Sequence, residues 1–215
     1  MLGNENQLQI FLSLFKRGTE LTYNKNEYII RPGESPNYVY YINDGLVKAF
    51  NISKYGEENL LIIRKPREIF PLIWAITGRG RSIIYQALTP TKVYRVTRED
   101  FNNFLKENTD ALYPFIDLIT DQYRMHSERI LNLEYRSVRE RLASFLLTMA
   151  SRFGKDSSKG IIIDVPLKQQ DIASSINASR ETTSRELGIL ERKGLIKNSQ
   201  GRLIIIDKQA LKKLI

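Results

Sequence analysis

Leu112, Ile116, Ile119, Tyr123, His126, Ile130 and Leu133 follow one another at alternating steps of four and three residues. An extended backbone cannot gather such a series on one side, whereas a helix of 3.6 residues per turn sets all seven along a single heptad seam. The segment 109–136 has 28 residues, about 42 Å as a continuous helix at 1.5 Å per residue. A lone helix of that length would leave its seam in water. It either pairs with a second copy as a parallel, two-fold dimer, the economical solution, or packs on its own domain. His126 is the one strongly polar member of the seam. It either fixes the register, as single polar seam residues do, or acts as a pH-sensitive element where two copies approach across the axis.

The chain before the seam has a different period. From about Glu20 to Arg98, short β-rich runs are separated by turn chemistry. Tyr28-Ile29-Ile30 meets Arg31-Pro32-Gly33-Glu34, and Tyr38 to Ile42 meets Asn43-Asp44-Gly45 ahead of Leu46 to Phe50. Asp-Gly between two such runs predicts a hairpin, because glycine tolerates the positive φ of a tight turn. A second hairpin is expected around Lys54-Tyr55-Gly56-Glu57, leading into Leu60 to Ile63; Ile83 to Leu88 and Lys92 to Val96 flank Thr89-Pro90. Strands at this spacing predict a small antiparallel roll or barrel.

Beyond the seam the pattern reads as a helix from Val138 to about Arg152, a loop from Phe153 to Lys159 and a short strand from Ile161 to Val165, followed by two helices and a hairpin. The fold class is therefore α+β in three segments: an N-terminal antiparallel β-roll over 1–108, a long dimerisation helix over 109–136, and a C-terminal winged helix-turn-helix over 137–215.

Charge is divided unevenly. Of the 33 Lys and Arg and the 24 Asp and Glu, 15 and 8 lie from Ser137 onward, so +7 of the formal +9 belongs to the last third. That is the footprint of a chain that handles a polyanion at one end. The absence of cysteine excludes disulfides and iron–sulfur clusters and is compatible with a reducing cytoplasm. With one histidine, a protein-encoded zinc or haem centre is not expected, nor is any cofactor; metal-dependent roll enzymes need clustered His and carboxylate ligands that one histidine cannot supply. No phosphate-cradling loop with a lysine, nucleophile elbow or hydrolytic triad is present, so no enzyme is expected. No signal-peptide order opens the chain, and Leu60 to Ile63 and Leu203 to Ile206 are too short to span a bilayer. The expected setting is the cytoplasm, with no membrane partner.

The chemistry concentrates after Lys168. Lys168 to Ser175 forms a short helix, Ile176-Asn177-Ala178 a turn, and Ser179 the N-cap of a helix running from Arg180 to Leu190. At about 100° per residue, Thr183, Leu187 and Leu190 share the core face, while Arg180, Glu181, Ser184, Arg185 and Gly188 fall on an outward arc free of bulky apolar groups. Such an arc can enter a DNA groove. Arg can donate two bonds to guanine O6 and N7, Glu can accept from cytosine N4, and each good pair gives about 1–3 kcal/mol of discrimination. Alternatively, Glu181 and Arg185 form an i,i+4 surface pair with a few tenths of a kcal/mol in it. Gly194 closes the helix, and Leu195-Ile196, the Asn198-Ser199-Gln200-Gly201-Arg202 turn and Leu203 to Ile206 make a wing that places Lys197 and Arg202 near a phosphate backbone.

With Ile172-Ala173, Ser179-Arg180-Glu181-Thr182 followed by Arg185, and Leu190-Glu191 followed by Gly194-Leu195-Ile196, the sequence resembles the Crp–Fnr family of transcriptional regulators. The likeness is strongest over Gln170 to Ile206. It extends in order to a roll, with its Pro32-Gly33-Glu34 and Asp44-Gly45 turns, and a long dimerisation helix. The resemblance implies that Arg180, Glu181 and Arg185 read bases, as in the catabolite-activator branch, and that Gln170, Ser179 and Thr182 position phosphates. It also implies a homodimer on double-stranded DNA with palindromic TGTGA-like half-sites about 34 Å apart, and RNA polymerase as a further partner.

The effector pocket departs from the family pattern. Members that bind cyclic AMP carry Gly-Glu, whose carboxylate holds the ribose hydroxyl, ahead of a short helix; here Phe70-Pro71 stands in its place. Arg81-Ser82 matches the family's phosphate-binding pair, and Ser127 matches a position near the base, while His126 replaces the usual threonine. The resemblance thus implies a small-molecule effector other than cyclic AMP at Arg81, Ser82, His126 and Ser127. Alternatively, Arg79 and Arg81 form a solvated loop. Trp74, Ile73 and Ile76 either line an apolar pocket under the roll or pack its core. Two further readings remain: a constitutive regulator with no effector, and a ligand-binding module acting through protein contacts.

Overall fold

The computed structural model describes residues 5–80, 82–199 and 201–215. Helix α1 (Glu5–Phe15) precedes strands β1 (Thr19–Tyr23), β2 (Tyr28–Ile30), β3 (Val39–Asp44), β4 (Val47–Ile52), β5 (Glu58–Arg64) and β6 (Ile69–Phe70). A short α2 (Leu72–Thr77), β7 (Ile84–Ala87), β8 (Thr91–Val96) and α3 (Arg98–Glu107) follow. A 3-10 turn over Thr109–Ala111 then leads into α4 (Leu112–Tyr135). The remainder is α5 (Val138–Phe153), β9 (Gly154–Ser157), β10 (Gly160–Ile163), α6 (Gln169–Ser175), α7 (Arg180–Arg192), β11 (Ile196–Ser199), β12 (Arg202–Ile205) and α8 (Lys208–Lys212). The chain divides into two compact units, one reaching Met125 and the other starting at His126, and the boundary falls inside α4.

In the first unit two antiparallel four-stranded sheets, ordered β1-β8-β3-β6 and β2-β7-β4-β5, make the roll. Asn43 and Asp44 still belong to β3, and only Gly45 and Leu46 join it to β4, a strand of the other sheet. The expected hairpin is instead a corner, because β3 takes β8 as its neighbour and β4 takes β5 and β7. Gly45 has φ 86°, and a Cβ there would lie 2.3 Å from the Pro90 carbonyl oxygen, so only hydrogen fits. The Lys54–Glu57 turn does close a hairpin, with Ile52 opposite Glu58.

The two-residue period of β3 divides the unit's interior. Tyr40 and Ile42 point into the roll with Ile30, Val47, Phe70, Tyr85 and Val93. Val39 and Tyr41 point the other way, against Phe11, Phe15, Phe101 and Phe115. Helices α1 and α3, which the turn-and-strand pattern did not announce, form that second layer. Thr97 caps α3 by accepting the Asp100 N–H at 3.0 Å, and Phe101 and Leu105 recur at helical spacing behind it. Trp74 packs at the rim of this layer while Ile73 and Ile76 are exposed, so the three do not line a common pocket.

The second unit gathers Leu142, Leu146, Ile163, Leu190 and Ile205 into a fully buried centre. A reciprocal cap starts α5: Ser137 N–H donates to the Glu140 carboxylate at 2.6 Å, and Glu140 N–H to the Ser137 hydroxyl at 3.4 Å. The expected loop from Phe153 to Lys159 is instead mostly strand, since β9 pairs with β10 from Gly154 opposite Ile163 to Ser157 opposite Gly160. Every residue of β9 is exposed, so it lacks the apolar alternation by which a strand is recognised. The sheet is completed in the order β11-β12-β10-β9.

Phe101 sits 5.5 Å from Phe115 and 6.1 Å from Phe15 between ring centroids and joins α1, α3 and α4. Phe101→Ala is expected to destabilise the first unit by about 3–5 kcal/mol, read as a lower urea midpoint with an unchanged slope.

Candidate nucleic-acid interface

Four local devices position α7. The Asp171 carboxylate accepts the Lys168 N–H at 2.9 Å and starts α6. The chain then turns at Asn177, whose φ is 50°. Ser179 accepts the Thr182 N–H at 3.0 Å and so caps α7. At the far end the Leu195 N–H donates to the Leu190 carbonyl and the Gly194 N–H to the Glu191 carbonyl, at 3.0 and 2.9 Å, with Gly194 at φ 70°. This is a Schellman stop, which needs a left-handed residue and therefore favours glycine.

The core face of α7 consists of Thr183, Glu186 and Leu190. Leu187, expected among them, is only half-buried. Glu186 is buried because Arg139 of α5 donates to its carboxylate at 2.7 Å, which neutralises the charge that burial would otherwise penalise. Nothing near Glu186 in sequence announces this pair, since Arg139 lies 47 residues away. The pair clamps the recognition helix onto α5.

On the solvent side Arg180, Glu181, Ser184 and Arg185 are exposed. With Gln169, Gly188 and Arg192 they line an open hollow of about 610 Å³. The structure therefore brings the three expected base-reading residues together on one surface. Among the described residues, the ion pair of Arg185 is with Glu186, at 3.9 Å, rather than the i,i+4 pair with Glu181. Gln169 also reaches the hollow, and Arg192 joins it one turn beyond the expected arc. Gly188 has ordinary helical backbone, and glycine inside a helix is less favourable than alanine by roughly 0.5–1 kcal/mol.

The wing follows directly. Asn198 N–H donates to the Glu191 carboxylate at 3.0 Å, fixing β11 to the end of α7. Lys197 is exposed on β11. Arg202, the first residue of β12, lies 3.2 Å from the Asp164 carboxylate, which Lys155 approaches to 2.5 Å. The hydrogen bond from Lys155 and the charge of Arg202 hold Asp164 below the usual carboxylate range.

Arg81 lies outside the described residues; Ser82 is exposed in the first unit, and His126 and Ser127 fall in the second. Phe70, where the ribose-holding motif would stand, is fully buried inside the roll. It stacks between Tyr40 and Tyr85 at 5.2 and 4.6 Å. Burial in this apolar space pushes the Tyr40 phenol up to about 12. The six apolar seam residues of α4 are all 36–73% exposed within the chain, Tyr123 the most, and His126 is exposed between them. Among the described residues no helix is long and apolar enough to cross a membrane, and no group of three or more metal-ligating side chains occurs.

A sensory roll followed by a winged helix-turn-helix defines a class of ligand-responsive DNA-binding proteins, and comparison with known proteins places the chain within it. Residues 140–214 match the Crp-like helix-turn-helix domain, and residues 20–108 the cyclic nucleotide-binding domain. The chain is 30% identical over 177 residues to the global nitrogen regulator of Nostoc sp., covering 81% of this chain and 79% of that one. It is 23% identical over 199 residues to a CRP-like cAMP-activated global transcriptional regulator of Mycobacterium tuberculosis, covering 93% and 89%. A solved structure of a CooA variant from Carboxydothermus hydrogenoformans shares the fold, with TM-score 0.82 at 23% identity over 99% of this chain and 97% of that one. The chain belongs to the Crp/Fnr family of transcriptional regulators. It is a DNA-binding regulator with an effector-binding domain, not an enzyme.

Because the carboxyl of Asp164 has a lowered pKa when folded, the stability it contributes is complete above the ordinary carboxylate range and is lost as pH falls through the folded value. Wild-type melting temperature should therefore drop more steeply below about pH 4 than that of Asp164→Asn. Glu186→Ala, which leaves Arg139 without its partner, should lower the melting temperature at neutral pH as well.

Proposed function

We propose that the protein binds a palindromic, TGTGA-like operator as a homodimer and regulates transcription from it in response to a small molecule other than cyclic AMP. The observation that carries the operator assignment is the exposed arc of Arg180, Glu181 and Arg185 on a helix whose opposite face is locked into the core. Two arginines and one carboxylate, free of bulky apolar neighbours, match the donor and acceptor pattern of G·C pairs in the major groove. The Ser179 and Thr182 hydroxyls at the helix start, with Gln170, Lys197 and Arg202, take phosphate contacts that set register without reading sequence.

The exposed seam of α4 supports the dimer: six large apolar groups in one stripe are more than a monomer ordinarily leaves in water. From His126 onward that helix belongs to the same compact unit as the reader. Arg129 donates to the Ser174 carbonyl at 3.4 Å, and Asn132 to the Ser144 hydroxyl at 2.9 Å. A shift of one α4 against its partner would thus carry α5 and α6 with it and re-aim the recognition helices. RNA polymerase is the expected further partner, and the cytoplasm the expected setting.

The packed Phe70 supports an effector other than cyclic AMP, because its phenyl ring stands where a carboxylate would accept from the ribose hydroxyls. Relatives named as global nitrogen regulators support a metabolic input in general terms.

Selection from random duplex DNA should return an inverted repeat with G·C-containing half-sites. Arg180→Ala and Arg185→Ala should each relax a defined position, at about 1–3 kcal/mol per lost pair. Recovery of no preferred sequence, with or without metabolite mixtures, would overturn the assignment. Ile119→Glu should shift the sedimentation of the free protein from dimer to monomer.

A further inference from the structure

The hollow on α7 has a floor as well as a rim. Taking Arg180 as zero and advancing about 100° per residue, Ser184 lies near 40°, Gly188 near 80°, Glu181 near 100°, Arg192 near 120° and Arg185 near 140°. Gly188 therefore stands on the midline of the arc, with charged side chains on both sides and the small Ser184 one turn before it. A surface that enters this arc comes nearest the helix axis at Gly188.

Among the described residues nothing explains a glycine at that place. The backbone is helical there and lies in a region any residue adopts. A Cβ built on Gly188 would meet only the Arg192 Nη1, at 3.5 Å, which is ordinary van der Waals contact with the end of a flexible side chain. By contrast, a Cβ on Gly45 would run into backbone at 2.3 Å. Alanine would fit Gly188 without strain and would make a better helix. What the glycine does provide is a stretch of bare backbone, open to whatever the helix meets outside its own chain.

We propose that Gly188 is the close-approach point of the recognition helix, where the edge of the DNA major groove lies against the bare backbone. A methyl group there would stand the helix off by up to about 1.5 Å, the length of a carbon–carbon bond. Hydrogen bonds from Arg180 and Arg185 to base edges are made over about 2.7–3.2 Å and weaken steeply beyond, so Gly188 acts as a positioning residue for both. The proposal rests on the reading that α7 enters DNA.

The test compares Gly188→Ala, Gly188→Leu and the double variant Gly188→Ala with Arg192→Ala against wild type. Binding is measured on the selected operator, beside thermal melting of each free protein. The expected result is a melting temperature at or above wild type for Gly188→Ala, with operator affinity at least tenfold weaker. Gly188→Leu should be weaker still, and the loss should persist in the double variant. Operator affinity of Gly188→Ala within twofold of wild type would overturn the proposal. So would a lowered melting temperature, which would return the glycine to the fold, or recovery of binding on removal of Arg192, which would make the glycine a seat for that arginine. Absence of operator binding by wild type itself would instead refute the DNA-reading assignment on which the proposal rests.

Discussion

A helix with two apolar sides and only one of them covered governs the arrangement of this molecule. Phe115 and Leu118 of α4 are buried against α1 and α3, while Leu112, Ile116 and Ile119, from the same turns, lie exposed. The covered side fixes the helix to the sensory unit. In the same unit the buried Arg64 of β5 reaches Gln122 of α4 at 3.0 Å and Glu68 at 3.4 Å, a polar tie in an otherwise apolar contact. The uncovered side offers a second copy a seam whose burial would convert two separate readers into one two-fold reader. Burial at roughly 25 cal/mol per Å² of apolar surface makes six such residues a substantial driving force, although association must also offset lost rotational and translational freedom.

The reading head works by an opposite economy. Its core face is held by distributed contacts, with Thr183 and Leu190 buried and the Arg139–Glu186 pair acting as a clamp, so that its outer face can be left bare of apolar groups. Caps at both ends satisfy the backbone groups that a helix leaves unpaired. The wing is fixed to the same helix through Glu191 and Asn198. A rigid helix with a polar, open arc is what base recognition needs, because hydrogen-bond geometry tolerates little displacement.

Much of this was legible in the sequence because the determinants are local. Ser179, the Arg180-Glu181-Arg185 arc and the Gly194 stop lie within sixteen residues, and cap, period and terminator follow from neighbours in sequence. The heptad steps of α4 are equally local. What escaped was non-local or lacked a period. Glu186 looks like a surface residue until Arg139 arrives from another helix. Gln169 and Arg192 join the hollow from outside the arc, one of them from a different helix. Strand β9 is exposed throughout, so no alternation marks it. Gly45 does bend the chain, yet a bend does not say whether the strands it joins will pair, and here each finds other neighbours.

Two recognition helices, tied together through α4, are expected to read two half-sites at once from one face of DNA. Inserting five base pairs between the half-sites of the selected operator tests this most directly. Half a turn of added DNA places the second half-site on the far side of the duplex. Affinity should then fall to that of an operator with a single half-site. Binding to the spaced operator as tight as to the original would contradict it, and would mean that each reader acts alone.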